Sequence, residues 1–320
     1  MKVLVTGASG YIGGQTAIQL RDQGHEVYGV DRARLPEHLR LLNLFDGFLQ
    51  SDIDSVESHQ WINAIQPDAI IHCAGTSLVG PSIMDPEDYY NNNFVKTKNL
   101  LDFLKEIKWL GRFIFSSSAA TYGNPIITPC NEVDPTEPIS PYGESKLMIE
   151  WLLKSYQRAY GLDFVAFRYF NACGADHQAR HGQAPGATHI VARILENYRD
   201  GKDFVCNGRD YGTPDGTCVR DYVHVADIAD AHVLALNKLL VVSDVYNLGT
   251  TTGASNLEVI GTANSVIDDE LSWSYGPNRE GDPAVLTADA GKFISHAGWR
   301  PQYNLKDVVQ HAWAWYNREF

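Results

Sequence analysis

Short apolar runs recur along the first half of the chain, separated by stretches with helical spacing. Val3-Leu4-Val5 ends at Thr6-Gly7 and reads as a buried strand. Residues 11–23 then place Ile12, Ala17, Ile18 and Leu20 at helical intervals until Gly24 stops them. The strand signal returns at 26–31, 69–74, 112–116 and 162–168, and the helical signal at 87–107 and 142–160. Strands alternating with helices predict βαβ units, hence an α/β, doubly wound parallel sheet covered on both faces.

The pattern changes after Phe170. Residues 171–187 contain Gly174, Gly182, Pro185 and Gly186 without a period, and predict a long loop of the kind that usually carries function. Near the end, Leu305, Val308, Val309, Ala312, Trp313 and Tyr316 share one helical face, so the tryptophans there read as core. Residues 222–239 and 245–248 look like one more helix and strand of the first unit. The expected division is a nucleotide-binding domain over 1–170, with 221–249 returning to it. A smaller C-terminal substrate-binding α/β lobe would comprise 171–220 and 250–320.

Composition removes several function classes. The formal net charge of −13 argues against general nucleic-acid affinity, which needs a basic face. Hydrophobic residues at 44% and charged residues at 20% are ordinary for a globular chain. No apolar run approaches the ~20 residues of a membrane helix, and no signal-peptide pattern opens the chain, so a cytoplasmic location is expected. Cys73, Cys130, Cys173, Cys206 and Cys218 are scattered without a CxxC pair, giving no zinc ribbon. His177 and His181 have ligand spacing but sit in a Gly/Pro-rich loop beside one acid, and no metal is expected there. His224 and His232 read as structural residues of a helical, apolar segment.

The chemistry-bearing residues begin at Gly7-Ala8-Ser9-Gly10-Tyr11-Ile12-Gly13, between the first strand and the first helix. Glycines there let the backbone turn sharply and approach a pyrophosphate at the helix N-terminus. Taken alone, the triplet equally fits a tight turn. Asp31, at the end of the second strand, adds an acid where adenosine ribose hydroxyls bind, which favours NAD over NADP. Arg32 and Arg34 pull slightly the other way.

Further on, Ser140-Pro141 opens a helix as N-cap and first residue. Tyr142 and Lys146 lie four apart on one face of it. A free tyrosine titrates near 10 and is a poor base at neutral pH. A neighbouring ammonium and a cationic nicotinamide are expected to lower that value and make Tyr142 a general base. Ser116-Ser117-Ser118 falls at the carboxyl end of a strand, where ligands bind in open parallel sheets.

These segments resemble the extended short-chain dehydrogenase/reductases, and within them the UDP-glucose 4-epimerases. The likeness runs nearly end to end. It includes His72-Cys73-Ala74-Gly75, Tyr89-Tyr90-Asn91-Asn92-Asn93, Arg168-Tyr169-Phe170-Asn171, 216–225 and Arg279-Glu280-Gly281-Asp282. It implies a Rossmann-type fold, an NAD cofactor, a UDP-sugar substrate and a homodimer. Ser118, Tyr142 and Lys146 would be the catalytic set. Gly7, Gly10, Tyr11, Ile12, Gly13, Asp31 and Arg32 would hold the cofactor, with Asp52 and Ile53 at the adenine and Ala74, Gly75, Asn93, Ser116 and Tyr169 along the rest. Asn171, Arg220 and Arg279 would meet the nucleotide diphosphate, Thr188 and His189 the base and ribose, and Asp282 would be a further substrate-binding residue. Leu286 would occupy the position that gates the sugar pocket, where tyrosine excludes an N-acetyl group and a smaller residue admits it. The alternatives are a 4-epimerase of another UDP-sugar (glucuronate, xylose or arabinose), a sugar-nucleotide 4,6-dehydratase or a non-catalytic NAD-binding regulator. Ser118-Ala119-Ala120 lacks the carboxylate the dehydratase needs, and the intact Tyr142, Lys146 and Ser118 disfavour the regulator.

Overall fold

The computed structural model describes residues 1–239, 241–278 and 282–318. Its centre is a seven-stranded sheet in which every pairing is parallel. Six of its strands come from the first half: β1 (Lys2–Thr6), β2 (Glu26–Asp31), β3 (Gly47–Gln50), β4 (Ala69–His72), β5 (Arg112–Ser118) and β6 (Asp163–Tyr169). The seventh, Asp244–Leu248, returns to lie beside β6. The order across the sheet is β3-β2-β1-β4-β5-β6 and then the Asp244–Leu248 strand. The winding reverses between β1 and β4, so a crevice opens at their carboxyl ends, where ligands bind in such sheets.

The apolar runs read as continuous because both faces are buried. Val3, Val5, Ile71, Ile114, Val165 and Phe167 feed one core, while Leu4, Ile70, Phe113, Phe115, Phe164 and Ala166 feed another on the opposite face. β3 was not singled out in the sequence. It is an edge strand with half-exposed residues, so it lacks the apolar run that marks the others. The 87–107 stretch is not one uniform helix. A π-helical segment, Tyr90–Val95, interrupts it before the Lys96–Glu106 helix, and such segments occur frequently at functional sites.

Beyond β6 the described residues also form short strands and five helices. Val219–Arg220 pairs with Val285–Leu286 and with Ala254–Ser255, and Asn171–Cys173 pairs with Tyr222–His224. Helices Ile190–Arg199, Asn256–Ile267 and Leu305–Tyr316 enclose a further core built on Leu195, Val259, Ile260, Val309 and Trp315. The 171–187 stretch thus begins with a strand rather than being loop throughout. His224 ends a strand and caps the Val225–Leu234 helix, accepting from the Ala226 amide at 3.0 Å, instead of lying within the helix.

Candidate active site

The loop that follows β1 lies at the β1/β4 crevice, and its close contacts leave room only for glycine at two positions. A Cβ on Gly7, where φ is +67°, would meet the Ala74 nitrogen at 2.7 Å, and one on Gly13 would meet the Gly7 oxygen at 2.2 Å. The helix that follows, α1 (Tyr11–Asp22), has Gly10 as its N-cap, with no side-chain cap bond and no acid in its first turn. That end presents unneutralised amide dipoles to an anion. Asp31 sits at the loop's edge, accepting from the Ser9 amide at 3.0 Å and the Ala33 amide at 2.8 Å. Arg32 donates to the Asn92 side chain at 3.2 Å. Asp52 is paired with Lys96 at 2.6 Å, and Ile53 is buried. Tyr11 directs its hydroxyl to the Gly174 oxygen at 2.7 Å, so its side chain ties α1 to the 171–187 stretch.

Past β4, a Cβ on Gly75 would lie 2.8 Å from the Asn93 Oδ1 and 3.6 Å from the Lys146 Nζ. Asn93 is delivered by the π-helical segment and bonds the main chain of Thr76 at both ends of its amide, as well as the Ser145 hydroxyl. It therefore fixes the 74–76 loop against the helix that carries Tyr142. Alternation along β5 divides the three serines. Ser117 turns to the buried Glu150–Arg168 ion pair, donating to Glu150 at 2.5 Å. Ser116 bonds Cys73 at 3.2 Å and Tyr169 at 2.9 Å.

The Pro141–Tyr160 helix begins as its sequence predicts, with the Ser140 hydroxyl accepting from the Gly143 amide at 3.2 Å and Pro141 in the first turn. It aims Tyr142 and Lys146 at the end of β5. The Lys146 ammonium is buried, donates to the Ser116 carbonyl at 2.9 Å, and stands 5.8 Å from the centre of the Tyr142 ring. Burial pulls it down to about 8. Tyr142 is raised above its ordinary value by burial, with the Ser118 hydroxyl lowering it in part. Burial therefore dominates at Tyr142 even with the Lys146 ammonium nearby, and positive charge brought to the ring would favour the phenolate. Ser118 accepts from the Ala120 amide at 3.1 Å, which leaves its own proton for the Tyr142 side.

On the other flank, Arg220 is largely buried, 3.0 Å from the Asp282 carboxylate, and donates to the Val219 oxygen at 2.8 Å. Leu286 stands opposite Arg220 in the strand pair and packs on Ala119, Tyr122 and Phe170, beside the Ser118 turn. The Asn171 amide bonds the Asp221 oxygen at 2.9 Å. Thr188 and His189 are exposed at the head of the Ile190–Arg199 helix. Arg279 lies outside the described residues. His181 bonds His38 and the Tyr11 oxygen, each at 2.9 Å, and among the described residues no three His, Cys, Asp or Glu side chains are grouped to hold a metal. Sequence reasoning passed over Thr16 and Glu150 and gave His232 only a structural role, since their partners come from distant segments and leave no local motif.

The sequence profile of the NAD dependent epimerase/dehydratase family matches residues 3–249. The chain belongs to this family. The UDP-glucose 4-epimerase of Lactobacillus helveticus is 41% identical over 326 residues, spanning 99% of this chain and 97% of that protein. A UDP-glucose 4-epimerase from Stenotrophomonas maltophila, solved with NAD and formylated UDP-arabinopyranose, superposes with a TM-score of 0.93 at 34% identity, covering 98% and 97% of the two chains. The UDP-Glc/GlcNAc 4-epimerase of Campylobacter jejuni gives 0.84 at 34% identity, covering 98% of each. The residues present fit the family's NAD. The glycine cradle excludes any Cβ, the α1 terminus is uncapped, and the buried Lys146 ammonium has donors beyond its bond to Ser116.

Proposed function

We propose that this enzyme interconverts UDP-glucose and UDP-galactose by inverting C4 through a transient 4-keto sugar, with NAD as a tightly held redox carrier. The observation that carries this reading is the meeting of Tyr142, Ser118 and Lys146 at the open end of β5, beside the glycine cradle. Tyr142 takes the proton of the 4-hydroxyl, directly or through Ser118, and returns it after inversion. Lys146 holds the cofactor ribose and adds positive charge next to the phenol. NAD, when bound there, would supply a hydride acceptor at C4 and a second positive charge that favours the phenolate. Asn171, Arg220 and Arg279 hold the diphosphate, Thr188 and His189 the base and ribose. Strong nucleotide contacts with loose sugar contacts let the sugar turn over while anchored. Arginine's planar fork suits that anchoring.

In the same reading, residues 1–170 and 221–249 serve the cofactor, and 171–220 and 250–320 the UDP-sugar. The division is not clean, because Ala290, Phe293 and Trp299 pack into the core of the first unit and Tyr222 into that of the second. Leu286, intermediate in size, admits an N-acetyl group, in keeping with a structural relative named for both UDP-Glc and UDP-GlcNAc. The exposed Val95 and Trp151, on the outer helices beyond β4 and β5, support a homodimer. Five free thiols fit a reducing cytoplasm, and the reaction would place the enzyme in galactose metabolism. Purified protein given UDP-galactose and no added NAD should form UDP-glucose. Failure, with or without NAD, would contradict the proposal. UDP-N-acetylglucosamine should also turn over, and Leu286→Tyr should remove that activity while sparing UDP-galactose.

A further inference from the structure

His232 is fully buried on the Val225–Leu234 helix, within hydrogen-bond distance of two residues from separate parts of the chain. Its Nδ1 lies 2.9 Å from the Thr16 hydroxyl of α1, and its Nε2 meets the Tyr169 hydroxyl at the end of β6. Hydroxyl protons fix the direction of this chain. Ser116 donates to the Cys73 sulfur, and Tyr169 donates its single proton to the Ser116 Oγ. The Tyr169 oxygen can then only accept from His232, so Nε2 carries the hydrogen and Nδ1 accepts from Thr16. Burial holds the ring far below its ordinary titration, at about 3, consistent with a neutral imidazole. One continuous donor sequence thus runs from Thr16 through His232, Tyr169 and Ser116 to Cys73. It ends beneath Lys146, whose ammonium is anchored on the carbonyl of the same Ser116.

We propose that His232 is a positioning residue of this site: through Tyr169 and Ser116 it locks the hydroxyl floor of the cofactor pocket and keeps Lys146 in register with Tyr142. The inference rests on the NAD-dependent reading above. Without the Nε2 donor, the Tyr169 hydroxyl can turn its proton away from Ser116, and the floor loses its single arrangement. His232 touches neither the UDP-sugar groups nor the reacting atoms, so its loss should appear in turnover and cofactor retention rather than in substrate binding.

Three measurements test this. In His232→Phe, which keeps the bulk and removes both nitrogens, kcat for UDP-galactose should fall on the order of tenfold or more, with KM little changed. The NAD that co-purifies per chain should fall too. His232→Gln can place an amide donor where Nε2 stands, and should recover most of both. Wild-type kcat and NAD content in His232→Phe would overturn the proposal, as would a His232→Gln as impaired as His232→Phe. The third measurement needs no variant to fold. In wild-type protein labelled with ¹⁵N-histidine, His232 should be neutral with its proton on Nε2, and a cationic ring or a proton on Nδ1 would overturn the proposal. An inactive wild type would count against the epimerase reading instead, leaving the NAD-content and tautomer results to judge His232.

Discussion

At Lys146, burial and charge pull against each other, and pH separates them. The ordinary value of 10.5 falls to about 8 in the folded chain without cofactor. Below about 8 the ammonium is charged in both folded and unfolded chains, and the full desolvation penalty opposes folding. Between about 8 and 10.5 the unfolded chain binds the extra proton, so folding stability rises with pH. Denaturation of NAD-free protein should show wild type gaining up to about 3 kcal/mol on Lys146→Met across that window, and a constant gap would contradict the assignment. Tyr142→Phe should lower turnover by ~10²–10⁴-fold, the range of a lost general base, while co-purified NAD stays near wild type. The types and spacing of these residues could be read from the sequence, because Tyr142 and Lys146 share one helical turn. The raised Tyr142 could not: its titration depends on what the fold packs around it, and the charge that offsets burial arrives with the cofactor.

The elements hold the site by contacts between distant segments. Glu150 and Arg168 form a bidentate pair at 3.0 and 2.7 Å, sealed from solvent, which joins the Tyr142 helix to β6, while Ser117 links it to β5. Removing one partner strands the other charge, so Arg168→Leu should lose roughly 3–5 kcal/mol in chemical denaturation; a loss under ~1 kcal/mol would show that the pair is not the clamp described. His72 acts similarly, bridging Thr6 and Thr97 at 2.8 Å each and thereby joining the end of β1 to the Lys96–Glu106 helix. Gly13→Ala would force a Cβ into the Gly7 carbonyl, and the protein should purify with little NAD. Strand and helix periodicity identified most of these elements, and Ser140, Pro141 and Gly24 marked their ends. The edge strand β3 and the π-helical Tyr90–Val95 escaped it, since one lacks a buried run and the other keeps a helix-like pattern while shifting its hydrogen bonds.

Over the whole molecule, the reversal of strand order at β1/β4 decides where the chemistry can sit. A separate core, built after Phe170, gives the remaining wall its own support, and the Val219–Arg220 and Val285–Leu286 strands carry Arg220 and Leu286 in register beside the Ser118 turn. That pairing joins segments over 60 residues apart and has no signature in either. If two copies associate through the exposed Trp151 face, Trp151→Glu should shift the sedimenting species from dimer to monomer; a wild type that sediments as a monomer would contradict the dimer. The central claim is that one hydride leaves C4 and returns to the same carbon within a closed site. It is tested most directly with UDP-galactose carrying deuterium at C4, followed by NMR of the UDP-glucose formed. The account predicts that the label stays at C4 throughout, with no wash-out into water. Loss of deuterium to solvent would mean that C4 is inverted by proton exchange, and the hydride mechanism would be wrong.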